Sequence, residues 1–137
     1  MSITVKEKSP LKMNEIFFRN YSFSVDKPKD KIDLVVSNMV EYLVKPNIDN
    51  EIKVIIYTDI NSKDEAFKLH LETEATFEFL KDKDINTEMM NEILHKSTIA
   101  IMFSFIRSQI HLLTSQPGMQ PVFLPPIDIN KIKEKAE

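Results

Sequence analysis

Residues Thr87–Asn130, TEMMNEILHKSTIAIMFSFIRSQIHLLTSQPGMQPVFLPPIDIN, decide how the rest of the chain is read. Apolar side chains recur at Met89, Met90, Ile93, Leu94, Ile101, Phe105 and Leu112, mostly three or four apart, which predicts one long helix over residues 87–115. Pro117-Gly118 is a strong stop, and Asn86 or Thr87 is the expected N-cap. About 29 residues at roughly 1.5 Å each give a rod of on the order of 43 Å. Its middle, Ile99–Ile106, is apolar all the way round except at Ser104. Such a run needs cover on its far side as well as on its near one. It is too short to cross a bilayer, so no membrane insertion is expected and a second subunit is the expected cover. Ile99, Ile101, Met102, Phe103 and Ile106 are the candidate oligomer interface.

After the helix, residues 116–126 carry Pro117, Pro121, Pro125 and Pro126. Proline fixes φ and removes backbone donors, so this segment is expected to lie extended and stiff. It also carries Met119, Val122, Phe123 and Leu124, which either plug the core or wall an apolar groove. Asp128 or Asn130 is expected to cap a short helix over 128–136, with Ile129, Ile132 and Ala136 on its dry side.

Composition narrows the function. A chain of 137 residues is expected to form one domain with a core of its own. There is no cysteine, hence no disulfide, thiol nucleophile or thiolate metal site. The single glycine, Gly118, rules out a glycine-rich phosphate loop. A net charge of −3 with Lys and Glu interspersed gives no nucleic-acid footprint. The first residues, MSITVKEKSPLKMNE, lack the apolar run of a secretory signal, so a cytoplasmic location is expected.

Upstream of the helix the period is two. Residues 1–14 read as a loose polar arm and 15–80 as four strands. Strand one, EIFFRNYSFSV, puts Phe17, Tyr21, Phe23 and Val25 on one face. Strand two, Lys31–Val44, aligns Ile32, Leu34, Val36, Val40, Tyr42 and Val44, and Asn38 interrupts that face where a bulge would fit. Strand three, Glu51–Ile60, turns Ile52, Val54, Ile56 and Ile60 inward. From Phe67 to Phe79 the odd positions are Phe, Leu, Leu, Thr, Ala, Phe and Phe, and most even ones are charged or polar. Such alternation marks an antiparallel strand with one dry face. Short loops make a meander the simplest topology. The fold class is thus α+β: a four-stranded antiparallel sheet, a long helix on one face and a short C-terminal helix.

No catalytic constellation emerges, and no enzyme, cofactor or metal is expected. His95 and His111 are sixteen residues apart with no acidic partner at a metal-motif position. His70, Glu72 and Glu74 share a strand face and could pinch a metal ion, but the same polar alternation continues to Glu78 with no ligand to bind. Asp59 and Glu65 read as hairpin solubilisers.

The run Ile101-Met102-Phe103-Ser104-Phe105-Ile106-Arg107, then Ile110, resembles the apolar-Phe-Pro-Tyr-Ala-Arg helix of the SecB family. Pro117-Gly118-Met119-Gln120-Pro121-Val122-Phe123-Leu124-Pro125-Pro126-Ile127-Asp128-Ile129 is similar to that family's Gly-x-Phe-Pro-x-Leu-x-Leu-x-Pro-Val-Asn-Phe segment, and Tyr21-Ser22-Phe23 with Pro28 to its first strand. The order of elements agrees over essentially the whole chain. The resemblance implies an ATP-independent holdase chaperone, assembled as a dimer of dimers, that binds unfolded or extended apolar polypeptides and can serve protein export. It places Phe103, Phe105, Met119, Val122, Phe123 and Leu124 at a peptide-binding groove. Ser104 replaces the family's helix proline. The acidic positions that dock the SecA motor in the family align with Asn20, Ser24 and His70, and the chain stops short of the family's C-terminal tail. Coupling to a SecA-type ATPase is therefore expected to be weak or absent. A dedicated regulatory partner, such as a toxin–antitoxin chaperone, and a small-molecule binder are the alternative readings.

Overall fold

The computed structural model describes residues 11–26, 32–44, 51–79 and 87–135. Alternation of apolar and polar residues builds β1 (Leu11–Val25), β2 (Leu34–Val44), β3 (Glu51–Ser62) and β4 (Phe67–Phe79). The 3.6-residue pattern builds α1 (Thr87–Thr114). A single 3-10 turn at Ile129–Lys131 leads to a two-residue strand, β5 (Lys133–Glu134). The architecture is α+β: a mixed, mostly antiparallel sheet with one long helix on its inner face.

The strand order is β1-β4-β3-β2-β5. Strands β2, β3 and β4 do form a meander, but β1 pairs with β4 and not with β2. The expected simple meander is corrected there, because a short connection permits hairpin neighbours without requiring them. Val25 lies opposite Phe67 and Leu34 opposite Ser62, so β1 ends and β2 begins at the same end of the sheet, three strand spacings of ~4.8 Å apart.

Strand β1 begins at Leu11, so residues 11–14 of the expected loose arm belong to the sheet, and the rest of that arm lies outside the described residues; Leu11 is buried against Phe79. Register shifts between Met13 and Glu15 and between Phe18 and Asn20 break its period. Each extra residue flips the following side chains to the other face. Ile16 and Phe18 thus face the core opposite Ala75 and Thr73, whereas Phe17 sits opposite Glu74 on the outer face. The expected shared face of Phe17 with Phe23 and Val25 is lost to these bulges. In β2 the reverse holds: the register is continuous through Asn38, with no bulge. Asn38 stays on the inner face because its Oδ1 accepts a hydrogen bond from the buried Thr58 hydroxyl at 2.8 Å.

The alternating face of β4 is buried throughout, from Phe67 to Phe79. It joins Ile52, Val54, Ile56 and Ile60 of β3, and α1 closes the core with Ile99, Met102, Phe103, Ile106 and Ile110. Four of the five residues expected at an oligomer interface (Ile99, Met102, Phe103 and Ile106) are therefore interior side chains of their own protomer. A helix needs only one apolar stripe to pack on a sheet, and these four form it. What remains outside is Ile101, 37% exposed, with Phe105 at 42% and Leu112 at 65%. The N-cap expected at Asn86 or Thr87, and the side chains of Met89, Met90, Ile93 and Leu94, lie outside the described residues, as does Ala136.

The helix ends where Pro117-Gly118 turns the chain: the Met119 amide donates to Gln116 O at 3.1 Å, and Gly118 takes φ +78. That left-handed value suits Gly after Pro in a tight turn. Buried Thr114 ties the next segment down, its hydroxyl donating to Ile110 O and accepting from the Val122 amide, both at 2.8 Å. The expected C-terminal helix over 128–136 is instead one turn. Asp128 caps it through the Asn130 amide, but Ile132 is already extended and the Lys135 amide donates to Val40 O at 2.8 Å. So short a helix cannot recover its nucleation cost, whereas a sheet edge offers immediate backbone partners.

Candidate functional site: an apolar cleft beside the edge of β2

The ribbon after α1 and the edge of β2 do not close on each other. Between them lies a cleft of about 400 Å³, lined by Val36 and Asn38 of β2, Phe103 of α1, and Leu124, Ile127 and Ile132 of the ribbon and its continuation. Pro125 and Pro126 contribute rigid wall, and Asp128, Lys131 and Lys133 stand at the polar rim. An apolar concavity with a few polar groups at its margin is the form that binding sites take.

The six residues expected at a groove divide among several places. Phe103 and Leu124 line this cleft. Phe123 points away from it, 77% exposed, and lines a second, more open hollow with Ser104, Arg107, Ser108 and His111. Its ring lies 4.5 Å from that of His111. Met119 and Val122 are half-buried against the core and line neither hollow. Phe105 lies on the exposed side of α1, away from both. Alternation along the proline ribbon accounts for the split, since consecutive residues of an extended chain point in opposite directions. Val36, Asn38, Ile127 and Ile132 were not singled out from the sequence as groove residues. Periodicity assigned Val36 to the closed core, and the expected C-terminal helix hid the extended path of Ile132.

The other face of the sheet carries a charged network at its centre, with Phe17, Val35, Met39 and Leu43 exposed around it. The His70 imidazole lies between two carboxylates, Nδ1 at 2.6 Å from Asp59 Oδ1 and Nε2 at 2.7 Å from Glu72 Oε2. The hydrogen bond to Glu72 raises the His70 pKa above its ordinary value; partial burial opposes the shift and Asp59 adds to it. Glu72 is held below the usual carboxylate range by His70 first, then by Arg19 and Asn20. Arg19 donates to Glu72 at 2.9 Å and to the Tyr57 hydroxyl at 3.0 Å, and Tyr57 donates to Glu41 at 3.0 Å. Lys135 lies over the Tyr57 ring at 4.8 Å. Glu74 faces Arg19 and Lys53, and no group of three metal-binding side chains forms among the described residues. Beneath this network Ile55 is 2% exposed although it sits on the outer face, covered by the long side chains around it.

A bracketed imidazolium makes stability depend on pH in one direction. Because the native pKa is raised, its contribution is complete below the ordinary value of 6.5 and fades as the pH climbs through the raised native value. Glu72 sets the acid limit, since its contribution is lost as the pH falls through its lowered value. His70→Gln should therefore cost more stability just below pH 6.5 than in alkaline buffer. Urea midpoints of parent and variant across that range check this, and parallel curves would contradict it.

No family model matches the chain. An uncharacterised protein of Methanocaldococcus jannaschii is 26% identical over 129 residues, spanning 89% of this chain and 81% of that protein. Among solved structures, the Mycobacterium tuberculosis SecB-like chaperone in complex with a ChAD peptide from the HigA1 antitoxin superposes with a TM-score of 0.70, covering 87% of this chain and 88% of that one at 12% identity. The fold is SecB-like. No helix among the described residues is long and apolar enough to cross a membrane.

Proposed function

We propose that this chain is an ATP-independent, non-enzymatic chaperone of the cytoplasm that holds extended apolar polypeptide segments in the cleft between β2 and the ribbon. The observation that carries this reading is the cleft itself: a stiff ribbon and a sheet edge enclose about 400 Å³ that the chain's own side chains leave open. The SecB-like fold supports it, because the M. tuberculosis chaperone that shares this fold is bound to a peptide. Phe103 and Leu124 form the floor, and Phe123, which faces the second hollow, offers a separate apolar contact on the other side of the ribbon. Each client side chain buried contributes roughly 1–2 kcal/mol, and ordering the segment costs about 2–5 kcal/mol of that sum. Single clefts are therefore weak, and a homo-oligomer, preferably a tetramer, gains avidity for long clients. A dedicated client such as an antitoxin segment is the second reading, favoured by the peptide in that same complex. Productive docking to a SecA-type motor is not part of the proposal: Asn20, Ser24 and His70 carry no negative charge, and the nearby Glu72 and Glu74 are paired with cations.

Val36→Asp tests the cleft. Val36 is already partly exposed, so the sheet tolerates the change, while a carboxylate enters the proposed dry surface. Binding of an unfolded, fluorescently labelled client should weaken by about tenfold or more, the loss of roughly one buried side chain. Unchanged affinity with an intact circular dichroism spectrum would remove the cleft from the proposal. Protection of several unrelated unfolded proteins from aggregation separates a general holdase from a single-client partner.

A further inference from the structure

The edge of β2 is half covered. β5 pairs with it in parallel only at Met39 and Val40, opposite Lys133 and Glu134. Val40 O faces this edge, since it accepts from the Lys135 amide. Backbone groups alternate sides along a strand, so those of Asn38 and Val36 face the same way. The ladder with β5 reaches back as far as the Asn38 carbonyl and stops there, and among the described residues no strand pairs with Val36 on that side. Going back from the β5 contact, the two segments part: Val36, Ser37 and Asn38 line one side of the cleft, and Asp128, Lys131 and Ile132 the other. Strap and strand thus form a fork with the apolar cleft in its opening.

We propose that clients bind by adding a strand to β2, starting at Val36 and Asn38 and displacing β5, so that the Lys133–Lys135 segment is a strap guarding the edge. This rests on the chaperone reading above and specifies how that site is entered. The partner it fits is an extended polypeptide with free backbone amides and alternating apolar side chains. Main-chain hydrogen bonds supply affinity without sequence selectivity, and the cleft floor takes every second side chain. The strap is built to leave. It is two residues long, exposed, and fastened only by the backbone bonds of that short ladder, the one from the Lys135 amide included, and by the Lys135 ammonium over Tyr57 and 3.9 Å from Glu41. An exposed edge also invites pairing with any passing strand, and a weak resident strand limits this to segments that can outcompete it.

The cysteine-free sequence allows a direct test. Met39 and Lys133 are register partners, so the pair Met39→Cys and Lys133→Cys places two thiols across the contact. The probe is a labelled peptide of alternating Val and Thr with a lysine tail. Oxidation of the paired variant should weaken binding by about tenfold or more, and reduction should restore it, because the competent state is removed and returned. Lys135→Pro, which deletes the donor to Val40, should bind about tenfold tighter than the parent if the strap is shut nine-tenths of the time. The same peptide N-methylated at alternate amides should lose binding to all forms. Equal affinity for parent, Lys135→Pro and both redox states overturns the strap while leaving the chaperone reading intact. Full affinity for the N-methylated peptide overturns strand addition. No binding by any form, the reduced variant included, overturns both this proposal and the reading beneath it. The redox pair is one polypeptide in two states, so a folding defect cannot imitate the result.

Discussion

Ile106→Ala should lower the unfolding free energy by about 2–5 kcal/mol, by the same amount at every protein concentration. Ile106 is fully buried beside Met102 and Ile110, with Phe77 and Leu71 among the core residues across from the helix. Truncation removes three carbons from a close-packed interior, and the vacated volume adds to the lost transfer energy. An interface residue would behave differently, since the stability of an associating chain rises with protomer concentration. Urea denaturation at two concentrations tenfold apart separates the cases. A cost below about 1 kcal/mol, or one that depends on concentration, would return Ile106 to the surface between subunits.

Ile101→Asp combined with Phe105→Asp should dissociate the proposed oligomer without unfolding the protomer. Ile101, Phe105, Ser108 and Leu112 follow one another at four, three and four residues, a single stripe on the outward side of α1. Burying each large apolar side chain is worth roughly 1.5–3 kcal/mol, so losing two raises the dissociation constant by at least about a hundredfold. Multi-angle light scattering of the parent at micromolar concentration should give a multiple of 16.0 kDa. The double variant should give the protomer mass with an unchanged circular dichroism spectrum. A monomeric parent would end the assembly proposal.

The fold was legible where residues obeyed one period without interruption. β4 alternates from Phe67 to Phe79, and every odd position is buried. α1 ends within a residue of where Pro117-Gly118 required. The failures fall where a single residue changes phase or a backbone partner decides the outcome. Two bulges in β1 moved Phe17 to the outer face, and neither Asn14 nor Arg19 announces an extra residue. Asn38 looked like a bulge because its inward polarity needs a partner, and Thr58, twenty residues on, supplies it. The C-terminal segment carries helical spacing at Ile129 and Ile132, yet an open sheet edge captured it. The candidate site suffered most from this. Phe103 and Leu124 were found from the ribbon and helix, whereas Val36 and Ile132 became visible as walls only once the strand order and the path of β5 were known.

The hydroxyl of Thr114 has a consequence for isotope exchange. In the ribbon from Gln116 to Pro126 the four prolines have no amide to exchange, and the Val122 amide ends on that buried oxygen. Deuterium reaches it only when the ribbon lifts off the end of α1. Its exchange rate is thus a clock for ribbon detachment, separate from unfolding of the sheet. A client that enters past β5 leaves that clock unchanged, and one that enters beneath the ribbon speeds it up.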